Sequence, residues 1–310
     1  MKFCIYILIF LVCFYCQGQE TLINAGFSIR DFFIDDQTLL YIEKRDIKNY
    51  NLNLKTRDTL INPEGFFIGG YGLKLSYDKT NKKIVTASNE LIRDISSIRF
   101  YDTEKKNINK FHVYYTTKLV DFLISPKDSM FFLSKKNKWL EVYRYNASPT
   151  RYKKIDSIKT SSFSRKLRFN SNQLFYITDK GEVIIYNTLK RSKKLLYKHG
   201  TILVNFCLSK DFKKIYVTTS QGQLIIIDIN GKTKPIIVNL GDSIIEAIDI
   251  VADKYIITGN WKGKIKIIDI KTLSVIKEFN NKKRIIKILA KDNYFYTSSS
   301  DRTIKRWKIN

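Results

Sequence analysis

The chain has 310 residues, with 55 Lys and Arg against 29 Asp and Glu, a formal net charge of +26, and only two His. At this length, and with 44% apolar residues, it can bury a core from its own side chains. The one CxxC, Cys13 to Cys16, lies in an apolar leader, and beyond it there is no CxxC, HxH or HExxH on which a transition-metal centre could be built as a short motif.

Residues 1–20 differ in kind from the remainder of the chain. One Lys precedes an uncharged apolar run over residues 3–16, and a short polar tail containing Gly18 comes after it. Fourteen residues fall short of the roughly 20 that cross the hydrocarbon core as a helix, and the three-part form is that of a secretory signal. The reading is a signal peptide at 1–18 and a folded domain at 19–310. The protein is then expected to be exported, periplasmic or extracellular, and membrane-anchored if the signal is not cleaved. Tyr15 before Cys16 and Val12 before Cys13 argue against lipidation, which needs a small residue there. Removing the signal takes Cys4, Cys13 and Cys16 with it, so Cys207 is left alone and no intramolecular disulfide can form. In the alternating stretch VNFCLS, Cys207 reads as a core residue.

Beyond the signal, TLINAGF (21–27) and IRDFFI (29–34) are strand-like. The overlapping DFFIDD (31–36) lacks the oxygen spacing and the glycine of a calcium loop and reads as a solvated turn. GFFIGGYG (65–72) runs into the strand-like LKLSYD, not into a helix start, so it reads as a connection and not as a phosphate cradle. NELIRDISS (89–97) reads as a lengthened turn with Arg93 and Asp94 near its tip. Further on, DKGEV, SQGQL, WKGKI and SDRTI form short turns around Gly181, Gly222, Gly263 and Arg302, which step by 41, 41 and 39 residues. Each turn leads into an alternating strand: EVIIYN, QLIIID, KIKIID and TIKRWK. Looser copies end at Tyr50, Tyr101 and Tyr143, with steps of 51, 42 and 43 through to Tyr186. Seven copies of a unit of 40 to 45 residues, built from short alternating strands, predict an all-β, seven-bladed β-propeller of four-stranded antiparallel blades.

The last blade, YFYTSSSDRTIKRWKI, resembles the signature of the WD-repeat β-propellers, with small hydroxyl residues, a tight turn with Asp, then Thr-Ile-Lys-x-Trp. VDFLISPKDSMFFLS (120–134) is similar to the strand, Ser-Pro-x-Asp turn and strand that open such a blade. Only the last blade has the signature Trp, and the family's Gly-His dipeptide is missing, although His112 and His199 fall where connections between blades are expected. The resemblance implies a partial hydrogen-bond network through Thr297, Asp301 and Trp307, with the blades held mainly by apolar packing. Blade seven lacks an outer strand of its own at the C-terminal end, and TLINAGF is expected to supply it, closing the ring.

Functional residues are expected in the turns, which a propeller gathers on its rims. Trp261, in the turn NWKGK, is a large aromatic at a wet position and is the first choice for a partner contact. Arg302 occupies the same turn position as Gly222 and Gly263 and should share that rim, and Arg93 tips the lengthened turn. The WD-repeat resemblance implies a non-catalytic scaffold that holds a protein or peptide; the chain is expected to be a monomer without a cofactor or metal. A rival is a propeller enzyme with a metal or cofactor in the central channel, for which Asp121, Glu246 and Asp249 are the acidic candidates. A third reading is polyanion capture, nucleic acid included, by the basic residues. Their runs, such as KKNK (135–138), RKLR (165–168) and KRSKK (190–194), are scattered over different units and read as solvated exterior.

Overall fold

The computed structural model describes residues 19–44, 46–61, 71–78, 82–89, 94–104, 107–114, 117–145, 152–241 and 243–309. They form 28 strands in seven four-stranded antiparallel sheets arranged as a ring. Blade one is β2 (Ile29–Ile34), β3 (Thr38–Glu43), β4 (Asp46–Asn51) and β5 (Arg57–Ile61). Blade two is β6 (Tyr71–Asp78), β7 (Lys83–Asn89), β8 (Ser96–Asp102) and β9 (Asn107–Tyr114). Blade three is β10 (Leu119–Ser125), β11 (Met130–Lys135), β12 (Trp139–Tyr145) and β13 (Tyr152–Lys159). Blade four is β14 (Ser164–Asn170), β15 (Gln173–Thr178), β16 (Glu182–Asn187) and β17 (Ser192–Lys198). Blade five is β18 (Leu203–Leu208), β19 (Lys214–Thr219), β20 (Gln223–Asp228) and β21 (Ile236–Asn239). Blade six is β22 (Ile245–Val251), β23 (Tyr255–Asn260), β24 (Lys264–Asp269) and β25 (Val275–Asn280). Blade seven takes β26 (Ile285–Lys291), β27 (Tyr294–Ser299) and β28 (Thr303–Lys308) from the C-terminal end and β1 (Gln19–Asn24) from the other end.

The closure expected of TLINAGF is therefore present, and it begins two residues earlier. β1 pairs antiparallel with β28 from Gln19↔Trp307 to Asn24↔Thr303, and Glu20 forms an ion pair with Arg306 across the seam. Middle strands are apolar on both faces because each blade is packed between two others. β15, QLFYIT, and β19, KIYVTT, are buried from their second residue onward. The seven apolar clusters of the described residues each lie between adjacent blades. One joins Tyr296 and Ile304 of blade seven to Phe32 and Tyr41 of blade one. Another stacks Phe131 of blade three on Tyr143, at 4.6 Å between ring centres, against Phe100 of blade two. Outer strands are wet: β17, SKKLLYK, exposes its lysines, which blunts an unpaired edge. No helix among the described residues is long and apolar enough to cross a membrane.

Of Thr297, Asp301 and Trp307 in blade seven, only Thr297 and Trp307 are hydrogen-bonded to each other. Trp307 is buried, donates from Nε1 to Thr297 Oγ1 at 2.9 Å and stacks on Phe295. Asp301 serves its own turn instead, accepting from Thr303 N at 3.1 Å and Thr303 Oγ1 at 2.6 Å. In the Ser-Pro turn of blade three, Ser125 Oγ donates to Asp128 Oδ2 at 2.6 Å. His112 departs from expectation, because it lies within the outer strand β9 and not in a connection. His199 does come just after an outer strand, and its ring is held between Tyr197 Oη at 3.0 Å and Gln223 Oε1 at 3.1 Å.

Candidate functional site

One device recurs in every inner strand. β2, β6, β10, β14, β18, β22 and β26 each slip register near their first residues, between Leu119 and Asp121 in β10 and between Ile245 and Ala247 in β22, for example. A bulge adds a residue and re-aims the side chains beside it. The position just after the slip holds Lys74, Asp121, Lys166, Asn205, Ala247 and Lys287 in blades two to seven, and in blade one Asp31 lies within the slip, directly before Phe32. Around the ring, lysine therefore alternates with aspartate through the first four blades.

The aspartates tie neighbouring blades together. Asp31 accepts from Leu75 N of blade two at 2.6 Å and pairs with Lys287 of blade seven. Asp121 accepts from Leu167 N of blade four at 2.9 Å and pairs with Lys74 of blade two at 3.0 Å. Further down the channel, Asp249 accepts from Ala290 N of blade seven at 2.7 Å. Asn205 does the same work by donating to the Glu246 carbonyl at 2.9 Å. A buried N–H within an inner strand needs an acceptor, and a carboxylate from the adjacent blade supplies it. This corrects the solvated-turn reading of DFFIDD, since Asp31 is buried and only Asp35 and Asp36 lie in the β2–β3 turn. Asp121 and Asp249 are likewise committed to backbone N–H groups of the next blade. No cluster of three His, Cys, Asp or Glu suited to a metal occurs among the described residues.

Charge balance separates the two aspartates. Burial raises the Asp121 carboxyl, but Lys74, Lys166 and Arg168 outweigh it and the net direction is down. Burial dominates at Asp249, whose carboxyl is pushed up. Burial also pushes up the Cys207 thiol, which sits in the core between blades five and six as its alternating strand predicted.

The channel opens into a cavity of about 300 Å³. Six cationic side chains line it, Arg30, Lys74, Lys166, Arg168, Arg284 and Lys287, against the carboxylates of Asp31, Asp121 and Glu246. Arg284 is held by Glu246, with Nη2 to Oε1 at 2.7 Å, and its guanidinium lies over the Trp261 ring, 4.3 Å from the centre. Trp261 is thus stacked beneath an arginine of the next blade's connection while remaining 46% exposed.

The turn between the second and third strands of a blade shares a face with the connection to the next blade, because the two hydrogen-bond to each other. Thr160 N donates to Lys138 O, His199 N to Gly181 O, Leu240 N to Gly222 O, Asn281 N to Gly263 O and Ala25 N to Arg302 O, all at 2.8 to 2.9 Å. The five accepting residues have φ of 67°, 75°, 77°, 84° and 68°, so Arg302 does occupy the glycine position of its turn, and Lys138 occupies it in blade three. Arg302 also reaches back through Nη1 to Gly26 O at 2.9 Å across the ring seam. Trp261 and Arg302 lie on this face. Arg93 and residues 65–70 of the glycine-rich segment lie outside the described residues. Sequence reasoning missed Trp139, 37% exposed, which comes just after the Lys138 turn, and Phe27 and Ile202, 51% and 41% exposed, in two connections on the same face.

No family model matches the chain, and no curated protein matches it in sequence. Among solved structures it is similar to the crystal structure of the computationally designed Ika8 protein, with a TM-score of 0.70 at 14% identity, covering 94% of this chain and 100% of that one. That likeness is one of fold. The class defined by fold and site is a seven-bladed β-propeller with one face carrying exposed aromatics around a cationic channel mouth.

Proposed function

We propose that the protein is an exported, non-catalytic scaffold of WD-repeat type that holds a protein or peptide on the face carrying Trp261. The observation that carries this reading is the grouping there of Trp261, Trp139, Phe27 and Ile202, all large apolar side chains left in water on a rigid ring. Exposed aromatics beside arginines are the composition of interface anchors. Arg284 holds the Trp261 indole in place, which lowers the ordering cost of binding. The WD-like turn and Trp of blade seven support the family reading, and the apolar leader supports export.

The test is recovery of partners from the exported fraction with wild-type protein, Trp261→Ala and Trp139→Ala side by side. A discrete set of proteins lost with either variant is expected, and identical recoveries would remove this face from the reading. For the rival channel enzyme, a stoichiometric metal or cofactor in purified protein is the discriminating result.

A further inference from the structure

Of the cations at the channel mouth, three are matched one to one with carboxylates: Lys74 with Asp121, Lys287 with Asp31, and Arg284 with Glu246. Blade four supplies two more that have no such match. Lys166 and Arg168 stand two residues apart on β14, so their side chains leave the same side of the strand, toward the channel. Arg168 donates to its neighbour's carbonyl, Leu167 O, at 3.0 Å and lies over the Phe206 ring, 5.7 Å from its centre. Among the described residues no carboxylate comes within ion-pair distance of either group. The next position round the ring after Lys166 is the neutral Asn205, and then Ala247, so the alternation of charge breaks on that side.

We infer that this mouth is a binding site for a small multivalent oxyanion, a pyrophosphate or a polycarboxylate, seated against Lys166 and Arg168, with Lys74 and Lys287 also lining the cavity. The cavity of about 300 Å³ is at the small end for ligand sites, which suits an anion of a few heavy atoms and excludes a polymer. Cations held on rigid strands meet an anion at a low reorganisation cost, and a cavity walled by protein weakens the screening between them. Withdrawal from bulk water and the neighbouring Lys74 together hold the Lys166 amine below the usual lysine range, and an anion would relieve that condition. Among the described residues Lys166 makes no hydrogen bond or ion pair, although its charge acts on the nearby Asp121 carboxylate. This site adjoins the rim contact proposed for Trp261, because Arg284 lines the cavity and stacks on that ring, whereas Trp139 is not among the lining residues.

Calorimetric titration with pyrophosphate and with citrate tests the inference, with acetate and chloride as monovalent controls. Wild type is expected to bind one pyrophosphate or one citrate per chain and to melt at higher temperature in its presence. Lys166→Met and Arg168→Met should each weaken that binding about tenfold or more, the scale of one charge-assisted hydrogen bond. Lys166→Arg should retain it, and Trp139→Ala, on the same face but outside the cavity lining, should leave it within about twofold. If both Met variants lose the fold, Lys166→Gln gives the same readout. Unchanged affinity in the folded Lys166 variant, acetate bound as tightly as pyrophosphate, or no binding of either multivalent probe would overturn the site. Retained anion binding with lost partner recovery in Trp139→Ala would separate the two proposals.

Discussion

At the scale of single residues, Asp121 shows why charge in this protein is poorly described by a total. Its carboxylate satisfies Leu167 N, neutralises Lys74 and lies near Lys166, so it connects blades two, three and four. Removing one partner of a buried pair leaves the other uncompensated, which costs more than the pair contributes. Asp121→Ala should therefore lose about 3 kcal/mol of stability, measured by urea unfolding, and Asp121→Asn less, because an amide still accepts from Leu167 N. The direction of its shift sets the acid dependence. Its pKa in the folded protein lies below the unfolded value, so its contribution is full above about pH 4 and is lost as pH falls through the lower, folded value. Asp121→Asn should flatten this part of the acid limb of the stability profile, and an unchanged limb would contradict the assignment.

At the scale of elements, the turns obey one backbone rule and the inner strands another. The turn rule was legible in part, because the spacing of Gly181, Gly222, Gly263 and Arg302 already marks a single turn position, and φ of 68° at Arg302 puts it in the same left-handed region as the glycines. Its strength is testable by comparing two glycines. A Cβ at Gly222 would lie 2.0 Å from Gly241 O, whereas one at Gly231 would meet nothing within 4 Å, although both have φ above 70°. Gly231→Ala should cost about 1 kcal/mol, the left-handed backbone penalty alone. Gly222→Ala should cost clearly more, because the clash is with the backbone of the next connection, and differential scanning calorimetry of the two variants measures the gap. The inner-strand rule was not legible. A residue inserted by a bulge looks like any other in an alternating strand, so RKLR read as solvated exterior although Lys166 and Arg168 face the channel. Asp31 was hidden for the same reason: its acceptor role depends on Leu75, 44 residues away in blade two, and no local pattern reports a contact across blades. Trp261 could be singled out from its turn, but Arg284 stacked over it comes from the next blade and was out of reach of local reading. Trp139 was missed because Lys138 gave no glycine signal for its turn.

At the scale of the whole molecule, stability is shared around a ring in which each apolar cluster belongs to two blades and none to one. Such a ring is as strong as its seam, and the seam is β1 on β28, fastened by Glu20 to Arg306 and by Arg302 to Gly26. The net charge of +26 finds its structural expression in exposed outer-strand lysines and in a channel mouth where the third lysine and an arginine lack carboxylates. Both proposed contacts depend on closure, because the face carrying Trp261 and the channel mouth exist only when seven blades complete the circle. Closure is tested most directly by a cysteine pair at Thr21 and Lys305, which are direct cross-strand partners in the seam, in a Cys207→Ser background. Mild oxidation should give an intramolecular disulfide between these two positions in monomeric protein, found by mass spectrometry of the linked peptides. Linkage only between chains, or free thiols at both positions in folded protein, would contradict a ring closed by its own first strand.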